Sequence, residues 1–202
     1  MQFYFNKKID FLNLKFSIII PVKHINSYVR ENIKNIQKQS YNNYEVIILP
    51  NFHNPNEYNF SKKIKIFSTG KIPPGLKRNI GAKAAKGEIL AFFDDDSFPQ
   101  INFLLIARNY FKKNNIYALG GPAITPNSNT TFQKISGYFF ENTIFGGNPE
   151  RYLPTKKKFV DDWPSVNFLV TKKIFLAIGG FNKKYWPGED TLFCLDLIKK
   201  TK

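Results

Sequence analysis

Apolar residues fall along this chain in short unbroken runs, separated by stretches with helical spacing. Residues 16–22 are mostly β-branched and apolar and close in Pro21-Val22, the pattern of a strand buried on both faces. A helix is expected from a cap at Ser27 to about Lys38, with Val29, Ile33 and Ile36 on one face. Tyr44 to Leu49 reads as a second buried strand, stopped by Pro50-Asn51. Lys63 to Ile66 reads as a third, extended by Phe67. Pro73-Pro74-Gly75 is a rigid turn. Leu76 to Lys86 is an Ala-rich helix ended by Gly87, and Glu88 to Phe93 is a fourth strand.

The second half is less regular. Pro99 opens a helix with Phe103, Ile106 and Tyr110 on one face. Ile116 to Leu119 is strand-like and ends at Gly120-Gly121-Pro122. Residues 123–160, rich in Asn, Gly, Thr and aromatics, are expected to be loops with little regular structure. Val166 to Thr171 is a strand, Lys172 to Ile178 a short helix, and Thr191 to Lys200 a last helix. The strand–helix alternation of the first half predicts an α/β sandwich with a largely parallel sheet. No internal repeat and no linker divides the chain, so residues 1–202 are expected to form a single domain.

One apolar run, Ile89 to Phe93, ends abruptly in Asp94-Asp95-Asp96. The chain has 15 acidic residues against 30 basic ones, so a fifth of its acid sits at this spot. Three adjacent carboxylates repel one another, and a divalent cation with a bound phosphate would supply the counter-charge. The carboxyl end of a buried strand is also where open α/β sheets bind ligands.

Composition narrows the classes. With 43% hydrophobic and 16% aromatic residues, wholesale disorder is excluded. The single Cys194 excludes an internal disulfide and a cysteine-rich zinc site, and fits a reducing compartment. His24 and His53 lack metal-ligand spacing. No stretch approaches the ~18 apolar residues needed to cross a bilayer. In Met1 to Lys8 the charges follow the aromatics, which is not the order of a signal peptide, so a cytoplasmic location is expected. The net charge of +15 suits nucleic acid, an anionic membrane at whose inner face the chain would sit, or phosphorylated substrates. The lysine pairs are scattered, however, and also read as solvated surface.

Four blocks in order resemble family 2 glycosyltransferases. They are Ser17 to Val22, Lys77 to Glu88, Phe92 to Pro99, and Gly179-Gly180-Phe181 followed by Trp186-Pro187-Gly188-Glu189-Asp190. The resemblance implies a Rossmann-like GT-A αβα sandwich with a mainly parallel central sheet. Residues 1–121 or so would be the nucleotide-sugar-binding half and about 122–202 the acceptor side. It implies an inverting, metal-dependent transferase that uses a nucleotide-diphospho-sugar donor and a saccharide or lipid-linked hydroxyl acceptor, in cell-surface polysaccharide or glycolipid synthesis. Asp94-Asp95-Asp96 matches the family's Asp-x-Asp element. By resemblance, Asp96 ligates Mn2+ or Mg2+, and Asp94 contacts the metal or the ribose. Asp95 joins the nucleotide contacts or, as a strand neighbour, points away. Glu189-Asp190 matches the Glu-Asp element, with Asp190 the general base; a helix cap is the alternative reading. Pro21, Val22, Asn51, Lys77 and Arg78 complete the expected nucleotide contacts, with solvated helix cations the alternative for Lys77 and Arg78.

Asp162, Trp163 and Trp186 are candidate sugar or acceptor contacts, against loop capping for Asp162 and core packing for the tryptophans. Two features depart from the family pattern. Pro50-Asn51 stands where many members carry a base-binding Asp, which leaves UDP as a default only. The chain also stops just after the Glu-Asp helix, where members continue, so a C-terminal truncation is expected. Two rival readings remain: a non-catalytic or truncated nucleotide-binding module, and a basic nucleic-acid-binding protein. Carboxylates that repel phosphate speak against the second.

Overall fold

A computed structural model describes residues 13–54, 60–114, 116–126, 130–142, 144 and 149–201. The residues of the signal-peptide reading lie outside these. Among the described residues, six strands form one sheet: β1 (Phe16–Pro21), β2 (Tyr44–Leu49), β3 (Ile64–Ile66), β4 (Ile89–Phe93), β5 (Ala118–Gly120) and β6 (Asn167–Thr171), in the order β3-β2-β1-β4-β6-β5. β1, β2, β3 and β4 pair in parallel, whereas β6 runs antiparallel to both β4 and β5. The mainly parallel sandwich predicted from the alternation is therefore present.

The strands divide their side chains between two helical layers. Phe16, Ile18 and Ile20 of β1 pack with α1 (Ser27–Gln37) and α3 (Phe103–Asn114) on one face. Ile19, with Ile47 and Phe92, packs on the other face with α2 (Pro74–Ala84), α5 (Lys172–Ile178) and α6 (Glu189–Thr201). This period of two buries both sides of β1. Gly81 allows α2 to lie close to the sheet, since a Cβ there would stand 2.7 Å from Ile19 Cγ2. On the α5–α6 side, the rings of Phe92, Phe175, Phe181 and Phe193 meet at centroid distances of 5.0 to 5.4 Å.

Several local expectations shift. Asn26, not Ser27, caps α1, its Oδ1 accepting from the Val29 N–H at 2.9 Å. Pro74 occupies the first turn of α2 rather than a separate turn. That helix ends at Ala84, before Gly87. α3 buries Leu104, Ala107 and Phe111, while Ile106 is exposed, so its inward face is rotated by about one residue. The loop expectation for 123–160 fails at α4 (Thr131–Glu141), which a Thr130–Gln133 capping box starts. α6 begins at Glu189, two residues before the expected start. No helix among the described residues is long and apolar enough to cross a membrane.

The edge of the sheet away from the strands' carboxyl ends is tied by a buried polar network. Glu45 Oε1 accepts from Ser17 Oγ at 2.8 Å and from the Lys86 N–H at 2.5 Å, while Oε2 accepts from Lys65 Nζ at 2.6 Å. Burial works to raise the Glu45 pKa, but these donors outweigh it and hold the carboxyl below its ordinary value. A depressed folded-state pKa gives stability that is present above the unfolded value and lost as pH falls through the folded one. Glu45→Gln is expected to lower unfolding free energy by roughly 1–3 kcal/mol at pH 7. The gap should shrink in acid, as read by urea denaturation at both pH values. Equal stability of the two proteins at pH 7 would contradict this role.

Candidate active site

The chain adds β2 and β3 on one side of β1 and then crosses to place β4 on the other. Such a reversal opens a crevice beyond the carboxyl ends of β1 and β4, where doubly wound sheets take their ligands. The crevice is lined by the loop after β1 and by Asp94-Asp95-Asp96 after β4. Two asparagines join these walls. Asn26 Nδ2 donates to Asp95 Oδ2 at 3.1 Å, and buried Asn32 donates to the Asp94 carbonyl at 2.9 Å. Sequence reading missed both. Asn32 left a signal, being polar within the Val29–Ile33–Ile36 stripe.

The three aspartates differ in environment. Asp96 is exposed and Asp94 and Asp95 are half-buried. Asp95 is turned to Asn26, and one Asp94 oxygen is held by Arg78 Nη2 at 2.8 Å. Burial is the largest influence on Asp94 and raises its pKa. Arg78 opposes that, the Asp96 and Asp95 charges reinforce it, and the net shift is upward. An added cation would relieve this crowding.

Arg78 is the centre of the arrangement. It is buried, and its Nη1 also faces Glu189 Oε1 at 3.4 Å, so one guanidinium spans the acidic loop after β4 and the start of α6. The next residue, Asn79, pairs twice with the Phe181 backbone: Nδ2 donates to its carbonyl, and its N–H donates to Oδ1, each at 2.8 Å. That clamp fixes the turn that leaves α5 through Gly179, whose φ of +101° suits glycine. Lys77 is buried too. Its ammonium donates to the carbonyls of Val22 at 2.5 Å and Leu49 at 3.2 Å, and to Asn51 Oδ1 at 2.6 Å. Burial lowers its pKa. Three donors meet three acceptors, so Lys77 holds the ends of β1 and β2 together. Because an ammonium only donates, Asn51 turns its oxygen, not its NH2, to Lys77. Neither cation is solvated surface; both act first on the protein.

The remaining candidates separate. Both oxygens of Asp190 accept backbone N–H groups, from Ser165 at 3.2 Å and Thr191 at 3.0 Å. Glu189 is buried beside Gly75, with Oε1 3.4 Å from Arg78 Nη1. Pro21 is half-buried and Val22 buried, its carbonyl taken by Lys77. Trp163 lies in the core with its ring against Gly120, which matches the packing alternative rather than sugar contact. Asp162 pairs with Arg151 at 2.5 Å. Trp186 is exposed just before α6.

The sequence profile described as Glycosyl transferase family 2 matches residues 17–175. The chain belongs to glycosyl transferase family 2. An uncharacterized glycosyltransferase of Rickettsia conorii is 28% identical over 145 aligned positions, covering 66% of this chain and 22% of that protein. One of Haemophilus influenzae is 25% identical over 201 positions, covering 92% of this chain and 72% of that one. The structure of S. aureus TarS 1-349 in complex with UDP-GlcNAc has a TM-score of 0.64 at 17% identity, over 91% of this chain and 53% of that one. Mannosyltransferase PcManGT from Pyrobaculum calidifontis, in complex with GDP-Man and Mn2+, has a TM-score of 0.60 at 13% identity, over 90% and 51%. These likenesses show that the family 2 chain has the GT-A fold. It spans about a fifth of the Rickettsia protein and about half of each structural neighbour.

Among the described residues of this family 2 chain, no three His, Cys, Asp or Glu side chains gather into a metal cage. A cation shared between one or two carboxylates and a ligand's phosphates needs no cage. Exposed Asp96 and the Asp94 oxygen not held by Arg78 fit that arrangement. The Arg78 bridge gives a direct test. Arg78→Leu strands a buried Glu189 charge and is expected to cost roughly 3–5 kcal/mol. Adding Glu189→Gln should recover part of that loss, so a double-mutant cycle by chemical denaturation reads a coupling. Strict additivity would contradict the bridge.

Proposed function

We propose that this chain carries the catalytic core of an inverting, cation-dependent glycosyltransferase. It moves a sugar from a nucleotide-diphospho-sugar, a UDP-sugar by default, to a hydroxyl on a saccharide or lipid-linked acceptor in cell-surface polysaccharide or glycolipid assembly. The observation that carries this reading is the joint position of two acidic elements: Asp94 to Asp96 after β4, and Glu189-Asp190 opening α6, bridged by Arg78. Family membership supports sugar transfer. The UDP-GlcNAc and GDP-Man complexes of the fold neighbours support a nucleotide-sugar donor, and the Mn2+ in one supports a cation.

In this reading the donor lies across the β1–β4 crevice. Asn51 offers its NH2 to a nucleobase carbonyl. Asp96 and Asp94 would hold the Mn2+ or Mg2+ ion, which when bound offsets the negative charge growing on the diphosphate. Asp190, oriented by the Ser165 and Thr191 N–H groups, takes the proton of the acceptor hydroxyl. The acceptor oxygen bonds to the anomeric carbon from the face opposite the phosphate. The carbon–oxygen bond to phosphate breaks, its electron pair leaves with the nucleoside diphosphate, and the configuration inverts. Glu189 keeps Arg78, and with it Asp94, in place. Trp186 offers an exposed indole face to a sugar.

A panel of UDP- and GDP-sugars with Mn2+ tests the proposal. Asp190→Asn is expected to reduce transfer by roughly 10²–10⁴-fold while nucleotide binding persists. Asp96→Ala should abolish the cation-dependent part of nucleotide binding. No turnover together with no nucleotide-dependent rise in Tm would refute it.

A further inference from the structure

The segment between β5 and β6 carries a dense apolar surface that the site does not use. α4 is amphipathic but turned outward. At helical spacing, Phe132, Ile135, Tyr138 and Phe139 share one arc, and Gln133, Lys134, Gly137 and Glu141 share the other. The Lys134, Gly137 and Glu141 side meets the protein, with Gln133 exposed: a Cβ on Gly137 would collide with the Thr125 side chain, and Lys134 and Glu141 are half-buried. The apolar arc meets solvent, with Phe132 87%, Tyr138 68% and Ile135 59% exposed, and no α4 residue is buried. Water selects the reverse orientation for a helix on a globular surface.

An exposed basic segment follows the turn on which this helix packs. Residues 155–160, Thr-Lys-Lys-Lys-Phe-Val, are exposed throughout, and Phe159 is 98% exposed. The 3-10 turn Pro149–Arg151 connects them to the helix. α4 packs on that turn, Phe140 lies 5.3 Å from the Tyr152 ring, and Lys158 pairs with Glu150 at 2.9 Å. The whole chain carries +15.

We propose that α4 and residues 156–160 form a docking surface for an anionic lipid bilayer. The apolar side chains enter the boundary between headgroups and acyl chains, and the lysine run meets the lipid charge. Lys158 pairs with Glu150 and Lys157 donates to Asn114 Oδ1 at 2.6 Å, yet all three lysines stay exposed, and an apolar protein groove would offer them no counter-charge. Single-stranded nucleic acid is held by aromatic planes along a basic groove, whereas α4 presents a helical ridge that includes aliphatic Ile135. The proposal does not rest on sugar transfer, since vesicle binding is read without a donor.

Flotation of the full chain with phosphatidylcholine–phosphatidylglycerol vesicles at about 3:1 should carry most of the protein to the lipid fraction, and pure phosphatidylcholine vesicles little of it. The Phe132→Ser/Phe139→Ser variant and the Lys156→Gln/Lys157→Gln/Lys158→Gln variant should each weaken binding by about tenfold or more. All five positions lie outside the core, so unchanged melting curves would verify folding. Equal binding to both vesicle types, or binding that neither variant weakens, would overturn the proposal. So would a failure to float together with a dimer that Phe132→Ser/Phe139→Ser abolishes, or with oligonucleotide binding lost in the lysine variant.

Discussion

The buried guanidinium of Arg78 is the constraint on which the site depends. Its two carboxylate partners come from distant parts of the chain, Asp94 after β4 and Glu189 at the start of α6. Taking a cation and a carboxylate out of water is costly, and an apolar pair of similar size would often be at least as stable. What an apolar pair would not provide is direction. Arg78 orients the Asp94 carboxylate, leaving one oxygen for a ligand, and fixes the helix start that carries Asp190. Its neighbours on α2 extend the role: Asn79 clamps the turn before α6, and Lys77 joins the ends of β1 and β2. Three consecutive residues thus set three walls of one crevice.

The sheet makes that arrangement possible. Both faces of β1 are covered, so its backbone has little freedom, and the crevice forms where the chain reverses between β1 and β4. Ser17 and Glu45 pin the opposite edge, and their acceptors hold the end of α2 through the Lys86 and Gly87 N–H groups. α2 is therefore anchored at both ends, by polar contacts to the sheet at one and by Lys77 and Arg78 at the other. The close approach at Gly81 lies between. A rigid platform of this kind is what positioning of two reacting groups requires.

Much of this was legible in the sequence. Buried strands announce themselves by unbroken apolar runs, and β1, β2, β4 and β6 lie within a residue of the runs that predicted them. The acidic triplet marked its own strand end. The failures have physical reasons. α4 exposes its apolar arc, and its surroundings are rich in Asn and Gly, so composition pointed to loop. In α3 the large residues Phe103 and Ile106 suggested a face that the smaller Ala107, packed with Leu104 and Phe111, in fact provides. Lys77 and Arg78 were expected at the nucleotide, with solvated cations the alternative; their protein partners were hidden because sequence does not reveal that Val22, Leu49 and Asn51 converge on one ammonium, or that Glu189 returns to Arg78 from 111 residues away. Trp163 fills the space left by Gly120, a contact between positions 43 residues apart that no local pattern encodes.

A crystal structure of the chain with UDP or GDP and Mn2+ tests the central claim most directly. Arg78 is expected to remain held between Asp94 and Glu189, with the ion on Asp96 and the second Asp94 oxygen and the diphosphate reached through that ion. Arg78 swung away from Glu189 onto the diphosphate, or an ion seated away from both aspartates, would contradict it.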